Sequence, residues 1–591
     1  MNNNIEITVQ NKLAMFKKNI FVFLLLLLSI SMLAQSEYDV TVHSSFSPTI
    51  SDAQQKINEK ANIVDTVSVA KPIDYNIVPP IYTSRFTPEP IKAPRVGKDQ
   101  ISRLYRNFIK LGFGYNWMPY LDFEVNSLRS TRGAYGVRAF HNSFLGKIKT
   151  YAPASYSDSK IEVFGQKFFK KYTLNAKAGY NHLLAHCYGF QPDSILPQGL
   201  DYKIKAKDIS RQYHHVNTNV NFSNNNINDN VLNQHYTLNY DFLADNTPKT
   251  YEHQLGLEAA LNHDIKLKKA FSFNVGGKIG FNYFHNRWNN AQLSDNAMVN
   301  VNPHVIFRYE EYFIKAGFDA LLHIQQQKGT KFHFYPDIEA RLTIVPQVFS
   351  LYVGLDGGMK RNSYLSFAQE NPYLSDIINL GFTDEKAKVF AGVQLGISRS
   401  LSIGARGAFG FYSGMPFFIN DAGQKFPIQL QDTLLEFYLK NTFTTIEDKT
   451  NHLNLHFDLK YNYKNQFGLA LNLDYNYYSY DSSWYKPAFV VQLDINYLLL
   501  EKFLFGLDFY THTGAKYPKF VNENITSATM KAVFDFNFSF EYIWSKRLSF
   551  FANINNFVCQ RNYFYNDYPS QRLNFLVGAK YNFGGEAIGK K

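Results

Sequence analysis

His141 and Ser143 stand two residues apart in the stretch Ala139–Phe144. On a strand that spacing puts both side chains on one face, as a nucleophilic serine and its general base require. No convincing orienting asparagine follows a strand later, so the pair is expected to be idle. His182 and His186, four apart, would ligate zinc from one face of a helix. The surrounding pattern reads instead as the end of a strand, where that spacing has no such meaning. His214 and His215 are adjacent and should point to opposite faces. Asp122 and Glu124 share a face and could do acid–base work, but such carboxylates are more often solvated or paired with cations such as Lys110 and Arg138. Cys187 and Cys559 are the only cysteines. An oxidising compartment would permit a disulfide between them, but their number alone does not establish one. No catalytic residue, metal site or cofactor is expected.

The elements that carry these residues are strands. From about residue 106 to 583 apolar and polar residues alternate with period two, broken by polar turns. Ile109, Leu111, Phe113, Tyr115 and Trp117 form one face of the first run, with Lys110, Gly112, Gly114 and Asn116 on the other. Leu121, Phe123 and Val125 alternate with Asp122, Glu124 and Asn126. Val216, Thr218, Val220 and Phe222 alternate with Asn217, Asn219 and Asn221, and Phe534, Phe536, Phe538 and Phe540 with Asp535, Asn537 and Ser539. Asparagine and glycine on the second face would make a poor sandwich core but suit a wet lumen. Lys110, Asp122, Glu124, Arg138, Asn217, Asn219, Asn221 and Asp535 are therefore expected to face that lumen.

Composition agrees. Aromatic residues make up 17% of 591, the mean hydropathy is −0.28, and no stretch after residue 34 approaches the ~20 apolar residues of a membrane helix. A polar average concealing many alternating stretches is the pattern of a transmembrane β-barrel. The net charge of +12 is scattered through turns and strands rather than gathered in a stripe, which argues against nucleic acid and fits contact with anionic outer-membrane lipid and lipopolysaccharide. Brief links at Phe169–Tyr172, Lys266–Lys269, Tyr309–Tyr312, Val345–Gln347, Ser398–Ser400, Tyr463–Asn465, Leu500–Lys502 and Trp544–Arg547 alternate with longer connections at 143–157, 186–208, 285–297, 359–386, 412–450, 512–527 and 556–572. That rhythm predicts an antiparallel up-and-down barrel of about 22 strands, give or take two to four, with both termini in the periplasm.

Lys17 and Lys18, the apolar run Ile20–Leu33 and Ala34 make a secretory signal peptide, with Met15 a plausible start. Residues 36–100 are rich in proline, lack alternation and read as an extended periplasmic or luminal arm. The domains expected are a leader at 1–34, the arm at 35–105, the barrel at 106–583 and a tail at 584–591. The arm nearest Arg106 is expected to pack in the barrel or across its mouth, its distal part being available to a protein partner.

Leu573, Phe575, Val577, Ala579, Tyr581 and Phe583 alternate with polar or small residues in a last strand that resembles the β-signal read by the barrel-assembly machinery. With Phe551–Phe557, Tyr563, Tyr565 and Tyr568–Pro569, the C-terminal end resembles that of the TonB-dependent receptor barrels. Tyr38–Val42 and Asp65–Ala70 look like the box by which those receptors couple to their energy-transducing partner, through strand pairing. The roughly hundred-residue plug of that family has no room between residues 70 and 106. The His-x-Ser spacing is similar to that of outer-membrane phospholipase barrels, which are much smaller. The resemblance implies the fold and the location; the polar lumen points to a barrel that passes or binds small solutes, and the missing plug and long arm to the alternative, a plugless scaffold subunit of an outer-membrane assembly or secretion complex.

Overall fold

The computed structural model describes residues 105–585, apart from 128–129, 196–202, 225–231, 248, 269–270, 289–291, 327–328, 377, 422–424, 431–432, 439–440, 465 and 522–523. The leader, the proline-rich arm with its two box-like pieces, and the tail beyond Gly585 lie outside the described residues.

Twenty-two antiparallel strands form one sheet, each bonded to the next barrel strand along the chain. The last, Asn574–Gly585, pairs with the first, Tyr105–Gly114, so the sheet closes on itself. Closure leaves no edge, which is what a wall lacking water partners demands of its backbone. The first strand begins one residue earlier than the alternation suggested, the last ends two later, and Leu573 falls just before it.

The alternation is read out as two faces. Leu111, Phe113, Val163, Ile279, Phe334 and Val577 point outward and each is at least half exposed. Exposed branched and aromatic side chains in register invert the rule for soluble proteins and match a band that meets lipid. The intervening residues point inward, where Asp122, Asn274, Asn286, Asn302 and His304 are buried.

Both termini of the wall share an end with ten short links, at 127–132, 169–171, 225–232, 269–270, 310–311, 346–348, 397–400, 464–466, 500–502 and 544–547. All seven of the longest connections, at 145–155, 187–209, 362–381, 421–442, 479–488, 514–532 and 556–573, lie at the opposite end. The expected long connection at 285–297 is not one. Strands Phe271–Trp288 and Gln292–Tyr309 run through it in continuous register and turn over at 289–291. Strand Thr250–Lys268 has 19 residues and its two successors 18 each, well beyond the ~10 that cross a bilayer. Toward the loop end their outward residues change from Leu255 and Leu257 to Tyr251, His253, Tyr283 and His285, an amphipathic rim of the kind found at membrane interfaces.

Replacing Phe575 or Val577 with lysine is expected to cost about 2–4 kcal/mol in equilibrium folding into lipid vesicles, and Asn574→Lys much less. Equal costs at all three positions would mean that the two faces of this strand are not divided between lipid and lumen.

Candidate functional site

The inward polar residues pair with one another along the wall. Arg138 donates to both carboxylate oxygens of Asp122 at 3.2 and 3.1 Å, and Asn126 donates to Glu124 at 2.7 Å. Asn219 donates to Asn239, Asn221 to Asn219, and Thr237 to Asn221, a chain of amides and one hydroxyl across two strands. Asn537 donates to Asp535 at 3.2 Å. Lys110 lies opposite Asp122 in the ladder and holds its ammonium 4.1 Å from the Phe551 ring centroid. Lys110, Asp122, Glu124, Arg138, Asn217, Asn219, Asn221 and Asp535 thus all sit on the face opposite the exposed apolar band, but they spread around the wall rather than converging.

The histidines are dispersed too. His141 bonds Ser143 through Nε2 at 3.1 Å and Ser159 through Nδ1 at 2.8 Å, so Ser159 takes the orienting place for which the sequence offered no asparagine. Ser143 is nevertheless buried, which leaves its hydroxyl unable to meet a substrate. His182 and His186 both lie within strand Tyr172–His186, a longer strand than expected. His214 bonds Tyr180 and Asn246 while His215 bonds Asp241, on opposite faces as the spacing requires. Among the described residues there is no group of three or more potential ligands that could hold a metal. Cys187 is buried, Cys559 exposed, and both are free.

What does converge is the loop end. Among the described residues, six of the seven long connections contribute to one apolar core that includes Ala152, Phe190, Phe367, Trp484, Met530 and Tyr568. Irregular chain has no ladder to satisfy its carbonyls, so buried donors must come from side chains. Tyrosine supplies them. Tyr188 donates to the carbonyl of Pro569 at 2.9 Å, Tyr213 to that of Pro372 at 2.9 Å, Tyr565 to that of Glu370 at 2.8 Å, and Tyr568 to that of Asn441. Each ring fills the core while its hydroxyl fastens another connection. Burial raises the phenols of Tyr188, Tyr565 and Tyr568 and the thiol of Cys187 above their ordinary values, which keeps them protonated.

The connection 362–381 is anchored most deeply. Its helix, Tyr364–Glu370, is capped by Ser363, whose hydroxyl accepts from the Ser366 amide. The buried carboxylate of Glu252 accepts from the amides of Tyr364 and Leu365 at 3.0 and 3.1 Å and from Asn286 and Gln254 at 2.5 and 2.6 Å. Arg361 donates to Asn286 at 2.6 Å and lies over the rings of Phe284 and Phe382. Tyr364 donates to Asp245 at 2.7 Å, and Arg211 reaches Asp376 at 2.5 Å. Nearby, register shifts at Asp356/Gly358, Glu385/Ala387 and Tyr412/Met415 interrupt three consecutive strand pairings. Gly414, at φ +71, adopts the left-handed backbone needed there, and its freed carbonyl accepts from Asn362 and Thr383 at 3.1 Å each.

Beneath this cap, between it and the inward wall, lies a cavity of about 400 Å3. Tyr188, Tyr373 and Gln571 belong to the cap side and Asp535, Asn537, Asn555 and Asn574 to the wall. Sequence pattern pointed to Asp535 and Asn537 but not to the cavity, because the other side is made by chain without periodicity.

No family model matches the sequence, and no curated protein matches it. Solved structures are similar in fold. The ferripyoverdine receptor of the outer membrane of Pseudomonas aeruginosa has a TM-score of 0.59 at 10% identity, over 82% of this chain and 72% of that one. The siderophore receptor PirA from Acinetobacter baumannii gives 0.57 at 9%, over 81% and 80%. The FrpB iron transporter from Neisseria meningitidis gives 0.58 at 8%, over 82% of each. These are receptors and a transporter, and this barrel shares their fold. At such identities the likeness is one of fold alone.

Glu252→Ala removes the acceptor of two buried backbone amides. It is expected to lower the local stability of 362–381 by about 2 kcal/mol or more, seen as faster amide hydrogen exchange there with the turn-end strands unchanged. Unaltered exchange would show that the tyrosine contacts alone hold the cap.

Proposed function

We propose that this chain is an outer-membrane, receptor-like barrel that binds small solutes in its polar lumen and passes them, with a packed cap at its loop end controlling entry. The observation that carries this is the pairing of a closed, polar-lined wall with a cavity under the cap. The fold it shares with outer-membrane receptors and transporters supports the same reading. Barrels of 16–18 strands already leave an aqueous channel, so one of 22 needs an obstruction. The cap supplies one from the loop end. Residues 36–100 are proposed to act at the other mouth, as an obstruction or as a docking segment for a periplasmic or outer-membrane partner.

In this reading the termini and short links face the periplasm and the seven long connections the exterior. The outward residues Leu573, Phe575, Val577, Ala579, Tyr581 and Phe583 serve the barrel-assembly machinery during insertion. Lys110, Asp122, Glu124, Arg138, Asn217, Asn219, Asn221 and Asp535 line the water-filled path. The cap also favours a second role, as a scaffold subunit of a larger outer-membrane complex, because a shared apolar core gives the exterior a fixed surface.

Epitope tags within 187–209 or 362–381 are expected to bind antibody on intact cells, and tags at Lys268 or Arg399 only after permeabilisation; the reverse pattern would invert the orientation. In planar bilayers Glu252→Ala is expected to raise single-channel conductance severalfold over the wild-type chain. If neither protein conducts and a partner co-purifies in mild detergent, the scaffold reading replaces passage.

A further inference from the structure

The chemistry of the cavity under the cap narrows what it can hold. Among the described residues lining it there is no lysine or arginine, and Asp535 is the one carboxylate. A site for an anionic chelate or a phosphate would need cationic forks, and a site for a cation would gather carboxylates. Carboxamides are present instead. Asn537, Asn555, Asn556, Asn562, Gln571 and Asn574 all contribute to the wall.

Some of these amides are spent on structure. Asn562 is bonded to both backbone groups of Phe534, and Asn556 donates to the carbonyls of Gln560 and Gln571. Others retain capacity. Asn555 donates to Asn574 at 2.8 Å and Asn574 to Gln571 at 3.2 Å, bonds that leave further donor and acceptor positions on all three amides. Asn556 is only 5% exposed, yet its side-chain oxygen has no hydrogen-bond partner. That oxygen is itself inaccessible, so the capacity open to a ligand is that of Asn555, Asn574 and Gln571. Beside the amides, Phe564 presents a ring that is 41% exposed in the same wall.

We infer that this cavity binds a neutral, hydroxyl-rich ligand of the carbohydrate class, about the size of a disaccharide. A sugar hydroxyl both donates and accepts, and so does a carboxamide, so a ring of amides satisfies a polyol without any net charge. The C–H face of a pyranose carries slight positive charge and meets the negative face of an aromatic ring. A volume of about 400 Å3 lies within the range of small-ligand pockets. The inference rests on the solute-binding role proposed above and names the class of solute for it.

The full chain, purified in detergent, is titrated calorimetrically with maltose, cellobiose and sucrose, and with gluconate as an anionic polyol. At least one disaccharide is expected to bind, and gluconate at least tenfold more weakly. Asn555→Leu and, separately, Phe564→Ala are expected to weaken that binding about tenfold or more, while Arg399→Ala, exposed in the short link 397–400 at the opposite end of the barrel, binds as the wild type. Retained heat-modifiable migration shows that each variant is folded, and either of the two cavity variants suffices if the other does not fold. Absence of binding by all three disaccharides overturns the inference, as does equal binding of gluconate or undiminished binding by the folded cavity variants. The two readings fail separately. Conductance raised by Glu252→Ala without sugar binding removes the ligand class and leaves the transporter, whereas sugar binding without conductance removes passage and leaves the site.

Discussion

Everything in this structure depends on one seam. A wall of strands facing hydrocarbon must give every amide and carbonyl a partner, and only closure does that. Here closure rests on the ladder between the first and last strands, from Tyr105 opposite Gly585 to Gly114 opposite Leu576. The register sets Lys110 against Lys580, a repulsive pair if both ammonium groups met. They diverge instead, Lys110 over the Phe551 ring and Lys580 over that of Phe108. Gly112 and Gly578, opposite each other two pairs along, leave the space that Phe551 fills. A Cβ at Gly578 would stand 2.0 Å from the carbonyl oxygen of Leu111 and 2.6 Å from that ring. The seam is therefore fitted around one aromatic side chain from a third strand.

The two ends solve the same backbone problem differently. At the turn end, tight links return the chain before many unpaired groups accumulate. At the loop end, seven long connections expose far more irregular backbone, and burying it calls for donors from elsewhere. Tyrosine meets that need because one side chain brings both apolar area and a hydroxyl. Tyrosine recurs in both the outward rim and the inward cap, two environments that each ask for a ring with one polar end.

The wall was legible in the sequence because its determinants are local. Alternation marks each strand, and the spacing of links such as Phe169–Tyr172 and Trp544–Arg547 marks each return, so strand number and the grouping of short links followed. The cap was not legible, since it depends on contacts between connections far apart that share no period. Two hairpins, Lys425–Leu430 with Thr433–Tyr438 and Lys516–Val521 with Asn524–Thr529, lie inside stretches read as irregular. Ser363 ahead of Tyr364–Glu370 was a usable capping signal, but too short a helix follows it to show a face. Glu252 reads as another luminal carboxylate on its strand, and only the fold of 362–381 brings two backbone amides to it.

The bond from Tyr188 to Pro569 joins residues 381 positions apart, and Tyr568 precedes the closing strand by only a few residues. Contacts so distant in the chain form only after the intervening segments are in place, because the loop entropy must be overcome first. The seam spans more of the chain still, from Tyr105 to Gly585, so neither the lid nor the closed wall can consolidate until almost the whole barrel sequence is in place.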